Sequence, residues 1–156
     1  VDLPAQYLFT QEMAPPYQML QTDLAVKNLL NRATADNLIY DYQIGAMVSS
    51  AHLEQGRFTE ATKVFAPMQW QPTGREKRLP SSVLLRPAGQ YGVCYHYGDY
   101  DSLGCSYQRL LDEIARTGRR TVGDSYEYNL FDNFTSLQEK DYLTKIVIQV
   151  ENDRGQ

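Results

Sequence analysis

The sequence predicts an α+β fold: two strand-helix-strand-strand units joined in one antiparallel sheet, with two main helices. Three observations carry this. Apolar residues recur at helical spacing in two stretches, residues 17–33 and 101–118. Each stretch has a strand-like run directly before it and two after it. A polar segment with Pro and Gly, residues 69–80, separates the halves as a linker.

Residues 4–13 read as a short mixed strand, which Pro15-Pro16 stops before opening a helix. Met19, Val26, Leu29, Leu30 and Ala33 then share a helical face, and residues 34–40 form a polar connection. Tyr42, Ile44, Ala46 and Val48 alternate with polar or small residues, as on a half-buried strand. Gln55-Gly56 reads as the turn of a long hairpin, with Thr59 to Met68 returning. In the second half, Ser82 to Leu85 begin a strand, Pro87-Ala88-Gly89 turn, and Tyr91 to Tyr97 form an aromatic strand. Asp101 is placed to cap a helix whose stripe is Leu103, Tyr107, Leu110, Leu111 and Ile114, and Gly118 closes it. Val122 to Phe131 and Tyr142 to Val150 are the last strands, and Glu151 to Gln156 form a polar tail expected to fray. The repeats run from about residue 4 to 68 and from 82 to 150, within one domain of 156 residues. A cleft is expected at their pseudo-twofold seam.

The net charge of −4 argues against a nucleic-acid grip by this segment itself. No run spans a bilayer, no signal peptide opens the chain, and a chain beginning at Val1 is expected to be a fragment or processed product. Two cysteines, Cys94 and Cys105, fit a reducing, cytoplasmic compartment, and their spacing to His52 and His96 suits no zinc site. No cofactor-binding motif occurs. Tyrosine is the unusual residue, at 12 against 5 Phe and 1 Trp. Half of these are explained by strand preference; the rest suggest a wall against which something docks.

In a strand, Gly123, Ser125, Glu127 and Asn129 share one face, while Tyr126, Tyr128 and Leu130 share the other. That places a carboxylate between small neighbours, with space beside it. A buried carboxylate either takes up a proton or attracts a cation, and aromatic faces add cation–π attraction. The opposing reading is an exposed or salt-bridged Glu127. On the strand from Tyr91 to Tyr97, Gly92, Cys94 and His96 share a face with room for a ligand. A lone His96 without a nucleophile motif is more simply a packed, hydrogen-bonding residue.

The runs GQYGVCYHYGDYDSLGCSYQRLLDEIARTG, GDSYEYNLFD and DYLTKIVIQV, in that order, resemble the GyrI-like effector-binding domain. The hairpin span DYQIGAMVSSAHLEQGRFTEATKVFAPM resembles that domain in BmrR-type multidrug regulators of the MerR class. The resemblance implies a duplicated fold around one pocket that binds lipophilic cationic or aromatic ligands. It implies DNA contact only through a separate N-terminal helix-turn-helix, and dimerisation in the full-length regulator. It assigns Glu127 as the acid at the pocket base and Tyr142 as a lining residue, with Tyr42 by its hairpin position and His96 where a pocket aromatic is expected. Ser125 and Asn129 flank the acid. Two other activities follow from the same resemblance: hydrolysis of reactive small molecules, with Glu127 as base, and inhibition of DNA gyrase.

Overall fold

A computed structural model describes residues 1–17, 19–35, 44–69, 82–131 and 142–153. Its elements in chain order are β1 (Asp2–Leu3), β2 (Gln6–Glu12), α1 (Met19–Ala35), β3 (Gly45–Val48), α2 (Ser50–Glu54), β4 (Lys63–Pro67), β5 (Val83–Arg86), β6 (Gly89–Tyr97), α3 (Leu103–Arg116), β7 (Arg119–Phe131) and β8 (Leu143–Asn152). The strands form one curled antiparallel sheet in the order β1-β6-β8-β7-β3-β4-β2-β5.

The predicted duplication is present. One unit is β2-α1-β3-β4 and lies as β3-β4-β2; the other is β6-α3-β7-β8 and lies as β6-β8-β7. The two orders are related by a pseudo-twofold that passes between β3 and β7. Those strands pair through Ala46 opposite Glu127 and Val48 opposite Ser125. A side chain on Gly45 would meet the Glu127 carbonyl oxygen at 2.0 Å and the Phe65 ring at 2.5 Å. Only glycine allows the seam to close there.

Alternation along the strands divides the sheet into two faces. One carries the helices. Ala25, Leu29 and Ala33 of α1 pack with Phe9, Val64 and Ala66. Leu103, Tyr107, Leu110 and Ile114 of α3 pack with Val48, Ile146, Ile148 and Val150. The other face curls around Leu8, Met47, Phe65, Tyr91, Tyr126, Tyr128 and Val147. There Arg86 of β5 acts as a clasp. Its guanidinium donates to the Tyr128 hydroxyl at 2.6 Å and the Pro4 carbonyl at 2.8 Å, and sits over the Tyr91 ring at 5.3 Å.

Several expectations are corrected. The long hairpin is interrupted by α2, which Ser49 caps by accepting the His52 N–H at 3.2 Å; Gln55 and Gly56 end that helix instead of turning a hairpin. A local side-chain cap outcompeted continued strand pairing here. Strand β1 carries too few residues for a periodic signal. The tail does not fray at Glu151, because β8 runs to Asn152 and Glu151 accepts from Arg120 of β7. Of the two acids expected to cap the start of α3, Asp99 and Asp101, it is Asp99 that accepts the Ser102 N–H, at 3.0 Å. The space beside Gly92 is filled by α3: a side chain there would meet Ile114 Cδ1 at 2.9 Å. Glycine on this strand serves helix packing.

Candidate functional site

The site centres on Glu127, on the helical face of β7, at the pseudo-twofold seam where it pairs with Ala46 of β3. The residue is 7% exposed. Its row across the sheet is Cys94, Ile146, Glu127, Ala46 and Val64, so apolar or small side chains flank it on both neighbouring strands. Strand parity forces this placement, because Tyr126 and Tyr128 are core residues on the far face.

Tyr107 reaches Glu127 from α3. Its hydroxyl donates to Glu127 Oε2 and lies 2.7 Å from Ser125 Oγ. Tyr107 is fully buried, and Phe58 stacks on its ring with centroids 5.1 Å apart and planes 6° from parallel. Such a stack adds about 0.5–1.5 kcal/mol beyond its buried area. Ala61, three residues on from Phe58, packs against both helix-face clusters. The segment after α2 therefore packs against Tyr107, the hydrogen-bond partner of the acid.

The acid accepts from one hydroxyl, that of Tyr107, and among the described residues it meets no cation. Among the described residues the ion pairs are Arg57–Glu60, Arg116–Glu113 and Arg120–Glu151, all on the surface. Burial pushes the Glu127 carboxyl from 4.5 up to about 7, and the Tyr107 hydrogen bond pulls the other way. Burial, and then the neighbouring acid, hold the Tyr107 hydroxyl well above its ordinary value, so it remains a donor.

One buried polar atom on this face is unmatched among the described residues. Thr144 Oγ1 is buried without a hydrogen-bond partner. Thr144 lies between His96 and Asn129 in the row next to Glu127. Together the Glu127 carboxylate and the Thr144 hydroxyl leave acceptor capacity buried beside small and apolar side chains. That is chemistry suited to a cationic or donor-bearing guest.

The sequence-predicted residues divide as follows. Glu127 and Ser125 are joined by Tyr107. Asn129 is half-buried beside Thr144, and its backbone N–H reaches the Ile44 carbonyl at 3.4 Å. His96 is buried with both ring nitrogens engaged, Nδ1 to Ser106 Oγ at 2.8 Å and Nε2 to the Asp99 carbonyl at 2.7 Å. That ties β6 to the start of α3, the packed role the sequence allowed. Tyr142 is buried at the head of β8, and its carbonyl accepts the Gly98 N–H at 3.0 Å. Tyr42 lies outside the described residues. Among the described residues, the tyrosines of β6 and β7 are not what meets the acid. Tyr91, Tyr126 and Tyr128 lie on the opposite face, and Tyr95 and Tyr97 are exposed. Sequence reasoning placed Tyr107 in a core stripe and missed its role. The signal was available: it is the one member of that stripe whose hydroxyl must find a partner when buried.

No protein-family model matches the chain, and no curated protein matches it. Solved structures do. The C-terminal domain of EcmrR superposes with a TM-score of 0.74 at 14% identity, over 98% of this chain and 96% of that one. This chain has the fold of the EcmrR C-terminal domain. In the EcmrR–DNA complex the match has a TM-score of 0.72 at 13% identity, and this chain spans 56% of the EcmrR chain. A hydrolase from Listeria innocua matches at a TM-score of 0.57 and 12% identity, over 97% of this chain and 90% of that one. SAV2435, solved bound to tetraphenylphosphonium, matches at 0.51 and 11% identity, over 97% and 92%. The resemblance to GyrI-like effector-binding domains thus holds at the level of fold.

Proposed function

We propose that this chain is a small-molecule effector-binding domain of a transcription regulator and that it takes lipophilic cations or cationic aromatics against Glu127. The carrying observation is the buried carboxylate that accepts from the Tyr107 hydroxyl and, among the described residues, meets no protein cation. The EcmrR fold supports the regulator context, and the phosphonium-bound SAV2435 supports the ligand class. A monocation at Glu127 replaces the missing counter-charge and relieves the cost of desolvation. Ligand access requires the Phe58–Tyr107 cover to shift. Unequal affinity for covered and uncovered states is what would couple ligand to a regulator. In this reading DNA contact belongs to a separate domain, the full-length protein is a cytoplasmic dimer, and Tyr142, Asn129, His96 and Tyr42 line or support the pocket.

The test compares tetraphenylphosphonium with neutral triphenylphosphine oxide at pH 8.5. Glu127→Gln is expected to weaken the cation at least tenfold and the neutral compound far less. Equal losses for both would remove the charge mechanism.

A hydrolytic reading rests on one observation. A carboxyl near pH 7 held by a tyrosine hydroxyl is poised as a general base, and a Listeria hydrolase shares the fold. Incubation with epoxide or ester electrophiles is expected to give saturable binding without turnover. Turnover abolished by Glu127→Gln would favour the enzyme instead.

A further inference from the structure

The curled sheet has a second concavity, on the face away from the helices and away from Glu127. It holds about 280 Å³, and Met47, Lys63, Leu84, Pro87, Asp124, Tyr126 and Gln149 line it. These residues come from the end of β3, the start of β4, β5 and the turn after it, the bulge in β7 and the end of β8. They therefore ring one mouth of the curled sheet, a place where barrels commonly bind ligands. The volume lies just below the ~300 Å³ at which drug-sized sites begin, so a guest here is small.

Among the described residues, two donors in this ring have no protein acceptor. No carboxylate pairs with Lys63 among the described residues. Glu12, its register partner on β2, is exposed and makes no ion pair with it. Tyr126 is 8% exposed, and its hydroxyl meets no hydrogen-bond partner among the described residues. Burial pushes that hydroxyl up to about 12, so it stays protonated and donating at neutral pH. The acid in the ring is already engaged: Asp124 Oδ1 accepts the Ser50 N–H at 2.9 Å. Behind Tyr126 lies the Arg86 clasp, a buried cation held, among the described residues, by a hydroxyl and a carbonyl and no carboxylate, with its Nε unmatched there. The unmet demand at this mouth is for an anion with an apolar body.

We propose that the mouth of the sheet is a second ligand site, for a small aromatic carboxylate whose acid group meets Lys63 and Tyr126 and whose ring lies on Met47, Leu84 and Pro87. The two sites sit back to back. Ser125 and Glu127 face the helices, while Asp124 and Tyr126, on the same strand, face the mouth, and Met47 follows Ala46, the partner of Glu127. The mouth site does not depend on what Glu127 binds.

Calorimetric titration of the intact chain with 1-naphthoate and with neutral 1-naphthamide tests it. Naphthoate is expected to bind saturably, at least tenfold tighter than the amide. Lys63→Gln should lose that tenfold and Lys63→Arg should keep most of it. Tyr126→Phe should weaken naphthoate several-fold, and Asp124→Asn should strengthen it by removing repulsion while keeping the acceptor for Ser50. Glu127→Gln should leave naphthoate unchanged, which separates this site from the cation site. Absence of saturable binding, equal affinity for the amide, indifference to Lys63→Gln, or displacement of naphthoate by tetraphenylphosphonium would each overturn the proposal.

Discussion

Replacing Glu127 with Gln should make the protein more stable at alkaline pH and leave it nearly unchanged at acid pH. The folded carboxyl titrates at about 7 against an ordinary 4.5. Between these values the folded state holds a proton that the unfolded state has released. The acid's contribution is therefore fully present below about pH 4.5 and is lost as pH rises through about 7. A shift of that size corresponds to about 3 kcal/mol. Glutamine cannot ionise, and its amide oxygen can still accept from Tyr107, so the variant escapes the loss. For a chain of this size the gap is worth roughly 6–12 °C in melting temperature, at about 2–4 °C per kcal/mol. Thermal melts of both proteins from pH 4.5 to pH 9 measure it, and taking differences at each pH cancels the other titrating groups. A gap that stays constant with pH, or a wild type more stable at pH 9, would refute the claim that a buried, unpaired carboxylate is held here.

Three further substitutions follow from the same geometry. Tyr107→Phe removes the donor that pulls the acid's pKa down, so the pH midpoint for cation binding should move higher, with about 1–2 kcal/mol of stability lost at pH 5; titrations at several pH values read both. Thr144→Val deletes a buried hydroxyl with no partner, and should raise stability by about 1 kcal/mol in denaturant melts. Gly92→Ala forces a methyl against Ile114 Cδ1 and should cost about 1–3 kcal/mol. Ile114→Val removes that carbon and should restore part of it in a double-mutant cycle.

The architecture was legible because each element has enough residues to show its period. Residues 103–116 carry a full apolar stripe, and β7 and β8 are long enough for parity to assign every side chain to a face. Glu127 was legible for the same reason: once Tyr126 and Tyr128 are core, the acid between them must face the other way. What parity cannot reveal is the partner across the gap. Tyr107 reaches the acid from a helix and Phe58 stacks on Tyr107 from a loop, contacts of long sequence separation that no local pattern encodes. The tyrosine excess misled for a related reason. Composition counts tyrosines but not faces, and most of the buried ones furnish the far side of the sheet around Arg86. The cap at Ser49 that interrupts the hairpin is a single hydrogen bond, too local to outweigh an alternating pattern when only the sequence is read.

The central claim is that an ionised Glu127 attracts a lipophilic cation, and its most direct test is the affinity for tetraphenylphosphonium at pH 5.5 and pH 8.5. With a carboxyl titrating at about 7, the ionised fraction rises about 30-fold between those values, and cation affinity should rise by a comparable factor in the wild type. The same titrations on Glu127→Gln should show weak binding at both. An affinity that does not change with pH in the wild type, or that Glu127→Gln retains at pH 8.5, would contradict the account.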